Sequence, residues 1–285
     1  MVSVSGVRGR VGDGLTPEVI ATFAAAFGAY ARSRGPGSTV VLGRDSRVSG
    51  PMFARAATAA LQSVGCDVVD VGIAPTPTVQ LAVEDLKAAG GLAVTASHNP
   101  IEWNALKFIG PSGMFLDGAE GAEMRAFLDG EIPRATWDEL GGWSEDAQAV
   151  ERHLARILAI PFLDVDAIRA KRFHVALDCV RGAGGNIFPQ LLEALGCTVD
   201  AINMETDGRF PREPEPVAEN LKELEALVRR TGAVIGLATD PDVDRLSLVS
   251  GEGRAIGEDY TLALASMLVL RHRPGAVVTN LSTSR

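Results

Sequence analysis

Apolar residues recur at helical spacing in the first hundred residues, and short apolar runs alternate with these stretches. Pro17 opens a helix behind the N-cap candidate Thr16, and its apolar face repeats at three- and four-residue steps to Phe27. The same order returns with helices that begin at Pro51 and near Thr78. The strands predicted beside these helices are 39–42, 68–71 and 92–94. Such alternation predicts a mainly parallel sheet covered by helices.

A second α/β unit is predicted after the pattern breaks at residues 130–149, which are acidic and contain glycine and tryptophan. Its predicted elements are strands 174–178, 199–202, 233–238 and 246–249, helices 187–195 and 221–230, and a hairpin turn at 251–253. A helix at 260–271 and a strand at 276–278 follow. The predicted fold class is therefore α/β with tandem domains, each a mainly parallel mixed sheet covered by helices. We expect domains at 1–148 and 149–254, with an incomplete third domain at 255–285.

Composition narrows the expected partners. A net charge of −9, with 46% hydrophobic and 22% charged residues, fits a globular chain without a basic nucleic-acid surface. The longest apolar stretch, 261–270, is too short to cross a bilayer, and no signal-peptide core precedes the first domain. We therefore expect a cytoplasmic protein with neither nucleic acid nor membrane as partner. Cys66, Cys179 and Cys197 are widely spaced, which favours buried thiols over disulfides or a zinc site.

A first polar cluster, residues 95–107, follows the predicted strand 92–94, where open α/β sheets place their chemistry. Ser97 is a candidate nucleophile, and His98 and Lys107 are the nearest groups in sequence that could activate it. The alternative is that Ser97 is only a turn residue ahead of Asn99.

A second polar cluster, Asp240, Asp242 and Asp244, follows the predicted strand 233–238. Three carboxylates on alternate positions repel one another unless a hard cation lies among them, so we expect magnesium. A solvated acidic turn is the alternative. An EF-hand is disfavoured because Arg245 and Gly251 occupy its sixth and twelfth positions.

Two arginine-containing loops could line an anionic pocket, or could lie on the surface. One contains Arg8 within Ser5–Gly9, and the other contains Arg44 within Gly43–Gly50. Arg245 could balance the acidic cluster or hold phosphate oxygens. Together these clusters indicate phosphoryl transfer at a divalent metal.

These motifs, in this order from Val4 to Ser284, resemble the α-D-phosphohexomutases, the group that contains phosphoglucomutase, phosphomannomutase and phosphoglucosamine mutase. The resemblance implies that Ser97 is phosphorylated in the resting enzyme, and that Mg²⁺ is held by Asp240, Asp242, Asp244 and a phosphoserine oxygen. It also implies interconversion of hexose 1-phosphate and 6-phosphate through a sugar 1,6-bisphosphate, which serves as activator.

The resemblance assigns further residues. Lys107, His98 and Arg8 become proton-handling candidates, with Lys107 preferred, and Arg44, Asn99 and Arg245 become contacts for a phosphosugar. Ala105, Pro241 and Val243 depart from residues common in the family. Val4–Gly9 and Asn280–Arg285 look most like phosphoglucosamine mutases and phosphomannomutases. The oligomeric state is open, and a homodimer is allowed.

The family's sugar-recognition loop and its loop for the second phosphate are absent from these 285 residues. Because remote binding energy positions a substrate for reaction, we expect the isolated chain to have very low mutase activity. One alternative is a noncatalytic module that binds a phosphosugar or a metal. Another is a phosphatase with an aspartate nucleophile, although Asp244 and Leu246 stand where its Asp-x-Asp-x-Thr/Val pattern needs threonine or valine.

Overall fold

A computed structural model describes residues 2–3, 6–35, 37–257 and 259–278. Its strands are β1 (Val2–Ser3), β2 (Gly6–Val11), β3 (Gly14–Leu15), β4 (Thr39–Arg44), β5 (Asp67–Ile73), β6 (Gly90–Val94), β7 (Trp103–Ile109), β8 (Trp143–Glu145), β9 (His174–Asp178), β10 (Thr198–Ile202), β11 (Ile235–Thr239) and β12 (Leu246–Ser250). Its helices are α1 (Pro17–Ser33), α2 (Gly50–Gln62), α3 (Thr76–Asp85), α4 (Gly118–Asp129), α5 (Ala149–Leu158), α6 (Val165–Lys171), α7 (Gly184–Ala194), α8 (Lys222–Thr231) and α9 (Asp259–His272). The strands form two separate sheets.

The first sheet has the order β1-β2-β7-β6-β4-β5-β8, with β3 beside β2. β4 pairs in parallel with β5 and β6, and β5 pairs in parallel with β8. β7 reverses direction and pairs antiparallel with both β6 and β2. As a result, the loop between β6 and β7 lies at the carboxyl end of β6, beside the end of β4.

Helix α1 shows why the predicted apolar face forms. The hydroxyl of Thr16 accepts a hydrogen bond from the backbone N–H of Val19, and Pro17 needs no hydrogen-bond acceptor at the first turn. Its buried face carries Phe27, whose ring stacks on Phe108 of β7 with centroids 5.5 Å apart. This contact anchors β7, and therefore the loop before it, on the helical layer.

The second sheet has the order β10-β9-β11-β12. β9 pairs in parallel with β10 and β11, whereas β12 returns antiparallel to β11. Leu224 and Val228 of α8 cover one face of this sheet and are fully buried. The turn between β11 and β12 contains the three aspartates.

The predicted α/β class with two mixed, mainly parallel sheets is confirmed. The strand expected at 276–278 is wrong: these residues are described and exposed, and they pair with no strand in the described part of the chain. A strand persists only where its backbone groups find partners, and this segment has none among the described strands. Residues 4–5 and 280–285, which carried part of the family resemblance, lie outside the described residues. The described helices include none with the length and apolar character needed to span a bilayer.

Candidate active site

The two polar clusters that follow β6 and β11 meet in space. The hydroxyl of Ser97 donates a hydrogen bond of 2.6 Å to Oδ2 of Asp240. Ser97 is 5% exposed and Asp240 is fully buried. A serine from the first domain and an aspartate from the second, 143 positions apart in sequence, therefore share one site.

Ser97 adopts a conformation that is unusual for a residue with a side chain. Its φ is +49°, in the left-handed region. Its backbone N–H donates to the hydroxyl of Thr95 at 2.9 Å, and that hydroxyl donates in turn to Oδ2 of Asp45 at 2.7 Å. Asp45 follows β4, so the end of one strand holds the loop that follows its neighbour β6.

Arg47 holds the same loop from the other side. Its guanidinium is fully buried, pairs with Asp45 at 3.0 Å, and donates to the backbone carbonyls of Ser97, Asn99, Pro100 and Trp103. We call residues 95–103, which end at the first residue of β7, the serine loop. These four hydrogen bonds are 2.6–2.9 Å long. The loop is therefore organised by a buried cation instead of by regular secondary structure.

The acidic turn brings Asp240, Asp242 and Asp244 together, with one carboxylate oxygen of each within 4.8 Å of the others. Asp240 and Asp242 are fully buried, whereas the side chain of Asp244 is 32% exposed. Oδ1 of Asp242 is buried without a hydrogen-bond partner in the described structure. A buried carboxylate oxygen without a hydrogen-bond partner, inside a cluster of oxygen donors, can coordinate a hard cation. These residues therefore fit Mg²⁺.

Lys107 of β7 supplies the positive charge that reaches this cluster. Its Nζ donates to Oδ2 of Asp242 at 2.7 Å and to Oδ2 of Asp244 at 3.0 Å. Thr76, the first residue of α3, donates its hydroxyl to the same oxygen of Asp242 at 2.6 Å and its backbone N–H to the carbonyl of Asp242 at 2.8 Å. Lysine and threonine thus tie the acidic turn to the first domain.

Charge and burial shift the pKa values within the cluster in opposite directions. Burial, reinforced by the carboxylates of Asp242 and Asp244, raises the pKa of Asp240 well above its ordinary value. Burial also works against ionisation of Asp242, but Lys107 overrides it and lowers that pKa to about 2. Burial opposes the charge on Lys107, yet its two carboxylate partners prevail and raise its pKa. The cluster is therefore short of positive charge, which a divalent cation would supply.

Four other residues that the sequence placed in the site, His98, Arg8, Asn99 and Arg245, have the following contacts. Nδ1 of His98 lies 3.3 Å from the Ser97 hydroxyl, and burial, followed by the charge of Arg245, lowers the pKa of His98. Arg8 donates to Oδ1 of Asn99 at 2.8 Å. Arg245 pairs with Glu215 at 2.6 Å and is half-exposed.

Arg44, expected to contact phosphate, lies in a different pocket. It lines a cavity of about 430 Å³ with Asp70, Trp143 and Glu145, beside α2 and the edge strand β8. Its guanidinium donates to the backbone carbonyl of Asp45 at 3.3 Å. Among the described contacts, Arg44 makes none with Ser97 or the acidic turn. Arg47, three residues later, is the arginine of this segment that contacts Ser97.

Sequence reasoning missed Thr76, Thr95, Arg47 and Glu215 as parts of the site. Thr95 and Arg47 carried a usable signal, because each lies in a polar segment directly after a predicted strand. Thr76 lies at a helix start, and its partner Asp242 is 166 positions away. No local pattern marks such a pair.

Comparison with protein families gives two matches along the chain. The family described as phosphoglucomutase/phosphomannomutase, alpha/beta/alpha domain I, matches residues 2–132. The family described as phosphoglucomutase/phosphomannomutase, alpha/beta/alpha domain II, matches residues 151–253. Ser97 falls within the first match, and the acidic turn falls within the second.

Individual proteins agree with these matches. The chain is 40% identical over 284 residues to a protein of Methanopyrus kandleri named "Probable phosphoglucosamine mutase", covering 98% of this chain and 60% of that protein. It is 41% identical over 283 residues to a phosphoglucomutase/phosphomannomutase of Thermococcus kodakarensis, with coverage of 98% and 61%. A crystal structure of a phosphoglucomutase/phosphomannomutase family protein from Burkholderia thailandensis superposes with a TM-score of 0.82 at 31% identity, covering 97% of this chain and 61% of that one. The chain thus spans about three-fifths of the length of these relatives.

Proposed function

The chain belongs to the phosphohexomutase superfamily, and from that premise we propose that it carries the phosphoryl-transfer centre of a hexose phosphate mutase. Ser97 is the residue that carries the phosphoryl group. The proposed reaction interconverts hexose 1-phosphate and hexose 6-phosphate through a sugar bisphosphate. The observation that carries this proposal is the 2.6 Å contact between the Ser97 hydroxyl and Asp240, because it joins a nucleophile to a cluster suited to a metal.

The proposed transfer balances as follows. The bond between phosphorus and Ser97 Oγ breaks while a bond from phosphorus to a sugar hydroxyl oxygen forms, and the hydroxyl proton passes to a base. The bisphosphate then reorients, its other phosphate returns to Ser97 Oγ, and a proton is given back to the sugar oxygen that leaves. The serine is regenerated in its phosphorylated form, so no external phosphate is consumed.

Asp240, Asp242, Asp244 and a Ser97 oxygen would hold Mg²⁺, as their all-oxygen donor set allows. Bound there, Mg²⁺ would neutralise negative charge on the phosphoryl group. The side chains around it perform the other tasks. Lys107 and His98 are the proposed proton-handling groups. We assign Lys107 first, as the group that gives a proton to the departing sugar oxygen, because its ammonium group reaches into the acidic cluster. His98, whose Nδ1 lies 3.3 Å from the Ser97 hydroxyl and whose pKa is lowered by burial, is proposed to accept the proton.

Arg8, Asn99 and Arg245 are proposed to orient the phosphosugar. Arg8 holds the amide of Asn99 at the edge of the serine loop, and Arg245 follows the acidic turn directly. The proposed role of Arg44 in phosphate binding finds no support in its position beside Asp70 and Glu145.

Hexosamine phosphates, or mannose and glucose phosphates, are the proposed substrates, since relatives with both kinds of name match along the chain. A sugar 1,6-bisphosphate is the proposed activator because it can transfer a phosphoryl group to unphosphorylated Ser97. Turnover by these 285 residues alone is expected to be very low. Domain boundaries at 148 and 254, a cytoplasmic location and a homodimer stay predictions.

The test is transfer of labelled phosphate from glucose 1,6-bisphosphate to the chain in the presence of Mg²⁺, with the labelled peptide mapped by mass spectrometry. We expect label on Ser97, none in Ser97→Ala, and unchanged labelling in the control Ser144→Ala, whose side chain is exposed on β8. Label on an aspartate would instead indicate a phosphatase-type enzyme. Failure of the wild-type chain to take up label would favour a noncatalytic binding module.

A further inference from the structure

We infer that Arg47 is a positioning residue for Ser97, and that Phe210 of the second domain keeps Arg47 in place. This inference rests on the proposed function of Ser97. A guanidinium has five N–H groups, and all five are used here. Nε–H donates to Asp45 Oδ2, while the two terminal nitrogens donate to four backbone carbonyls of the serine loop.

Arginine is the side chain that suits this position. Lysine has three donors on a single nitrogen and no planar fork, so it could reach at most three of the five acceptors. The site is also closed to water, since Arg47 and Asp45 each have side chains that are 0% exposed. Acceptors abandoned by a lysine would therefore stay buried and unsatisfied.

These contacts constrain Ser97 from both sides of its α-carbon. Its carbonyl accepts from Arg47 at 2.6 Å, and its N–H donates to Thr95, whose hydroxyl is held by Asp45. Asp45 and Arg47 are themselves paired. One buried ion pair thus fixes both peptide groups of Ser97 and supports its φ of +49°. This backbone conformation directs the hydroxyl towards Asp240.

The second domain covers this ion pair. The ring of Phe210 lies over the guanidinium carbon of Arg47, 5.0 Å from the ring centroid. Gly208 has a φ of +68°, and a Cβ there would lie 2.2 Å from the backbone oxygen of Ser46. The hydroxyl of Ser46 donates to the carbonyl of Arg181 at 2.7 Å. The segment that contains Phe210 therefore docks on the arginine that shapes the serine loop, which couples domain contact to nucleophile geometry.

The experiment compares Arg47→Lys with Arg55→Lys, a control whose side chain is exposed on helix α2. The first-order rate constant for Ser97 labelling by glucose 1,6-bisphosphate is measured across bisphosphate concentrations. Because a displacement of about 1 Å can cost about a hundredfold in rate, we expect Arg47→Lys to lower the rate constant by roughly that factor. The half-saturating bisphosphate concentration should change by less than about twofold, because substrate contacts are kept. Phe210→Leu should lower the rate constant by about tenfold, as expected for loss of a buried cation–π contact.

A second readout separates positioning from loss of fold. In Arg47→Ala, methylguanidinium should restore labelling in a saturable way, whereas methylammonium should not. Wild-type labelling rates in Arg47→Lys would overturn the inference, as would equal rescue by the two cations. If Arg47→Ala does not fold, the lysine variant carries the test.

Amide hydrogen exchange distinguishes failure of the positioning role of Arg47 from failure of the proposed reaction at Ser97. Amide hydrogen exchange needs no phosphoryl transfer, so it is measured on the wild-type chain and on both lysine variants. We expect faster exchange at residues 97–104 in Arg47→Lys alone. Equal protection in all three proteins would refute the positioning role even if Ser97 is labelled, whereas an unlabelled wild type with this exchange pattern would refute only the proposed reaction.

Discussion

Replacing Lys107 with methionine should lower the free energy of unfolding of the metal-free protein and raise its affinity for divalent cations. Lys107 is the cation that contacts Asp242 and Asp244, and its side chain is only 15% exposed. Methionine keeps much of the apolar volume of lysine but removes the charge. Breaking a buried pair by removing one partner costs about 3–5 kcal/mol, so we expect a loss near the lower figure because Asp244 is partly exposed.

The effect on metal affinity has the opposite sign. At an effective dielectric constant of about 20, two unit charges about 4 Å apart interact by roughly 4 kcal/mol, so an ammonium group repels a divalent ion by up to twice that. The lysine side chain can relax towards solvent when the ion binds, which recovers most of this energy. We therefore expect Lys107→Met to bind Mn²⁺ about tenfold to a hundredfold more tightly, which corresponds to roughly 1.4–2.8 kcal/mol.

The assay combines urea unfolding with and without MgCl₂ and Mn²⁺ binding followed by electron paramagnetic resonance. Lys107→Met should lose stability without metal and regain most of it with MgCl₂, because a ligand that binds the native state stabilises it. Lys222→Met is the control, since Lys222 is 68% exposed and lies on α8. Weaker Mn²⁺ binding in Lys107→Met, or no recovery with MgCl₂, would refute the view that Lys107 balances a cation site.

Two further predictions concern backbone strain and pH. Val243 has a φ of +61°, and since left-handed conformations cost a residue with a Cβ about 1–2 kcal/mol, Val243→Gly should raise stability by up to about 1 kcal/mol after the entropy cost of glycine; a lower urea midpoint would contradict this. Burial, followed by the charge of Arg156, lowers the pKa of His153, whose Nδ1 lies 2.8 Å from the Thr78 hydroxyl. The unfolded chain therefore takes up this proton first as pH falls, so the contribution of His153 is complete above about pH 6.5 and is lost below it. Urea midpoints measured from pH 7.5 to 5.5 should fall more steeply in the wild type than in His153→Gln, and parallel curves would count against the assignment.

The sequence predicted the two clusters because each lies directly after an apolar run. Ser97 follows β6 and Asp240 follows β11, so their position at strand ends could be inferred from local pattern. That both strands deliver their loops to one place depends on how two sheets pack, which local pattern does not encode. The family resemblance supplied that step.

Arg44 and Arg47 show that local sequence pattern does not predict which arginine contacts the serine loop. They lie three residues apart, and only Arg44 was expected from the sequence to contact an anion. Arg44 is the last residue of β4 and lines a cavity beside α2 and β8, whereas Arg47 lies in the turn that follows and is buried beneath the serine loop. The four backbone carbonyls that accept hydrogen bonds from Arg47 are 50 to 56 positions away, so its contact with the serine loop could not be read from local sequence.

Helix α4 and strand β7 were missing from the predicted element order for different reasons. Only Gly121 and Met124 of α4 are buried, so its apolar face is too sparse to give a clear helical repeat. β7 is mostly buried and begins at Trp103, inside the segment treated as a catalytic motif. Its strand character was therefore hidden by the chemistry assigned to the same residues.

The most direct test of the shared site is a crystal structure of the chain grown with Mn²⁺, examined by anomalous scattering. We expect one strong peak bound by carboxylate oxygens of Asp240, Asp242 and Asp244, with the Ser97 oxygen next to it. A peak at another site, or Mn²⁺ bound by the aspartates while Ser97 points away from it, would contradict the claim that serine and acidic turn act together.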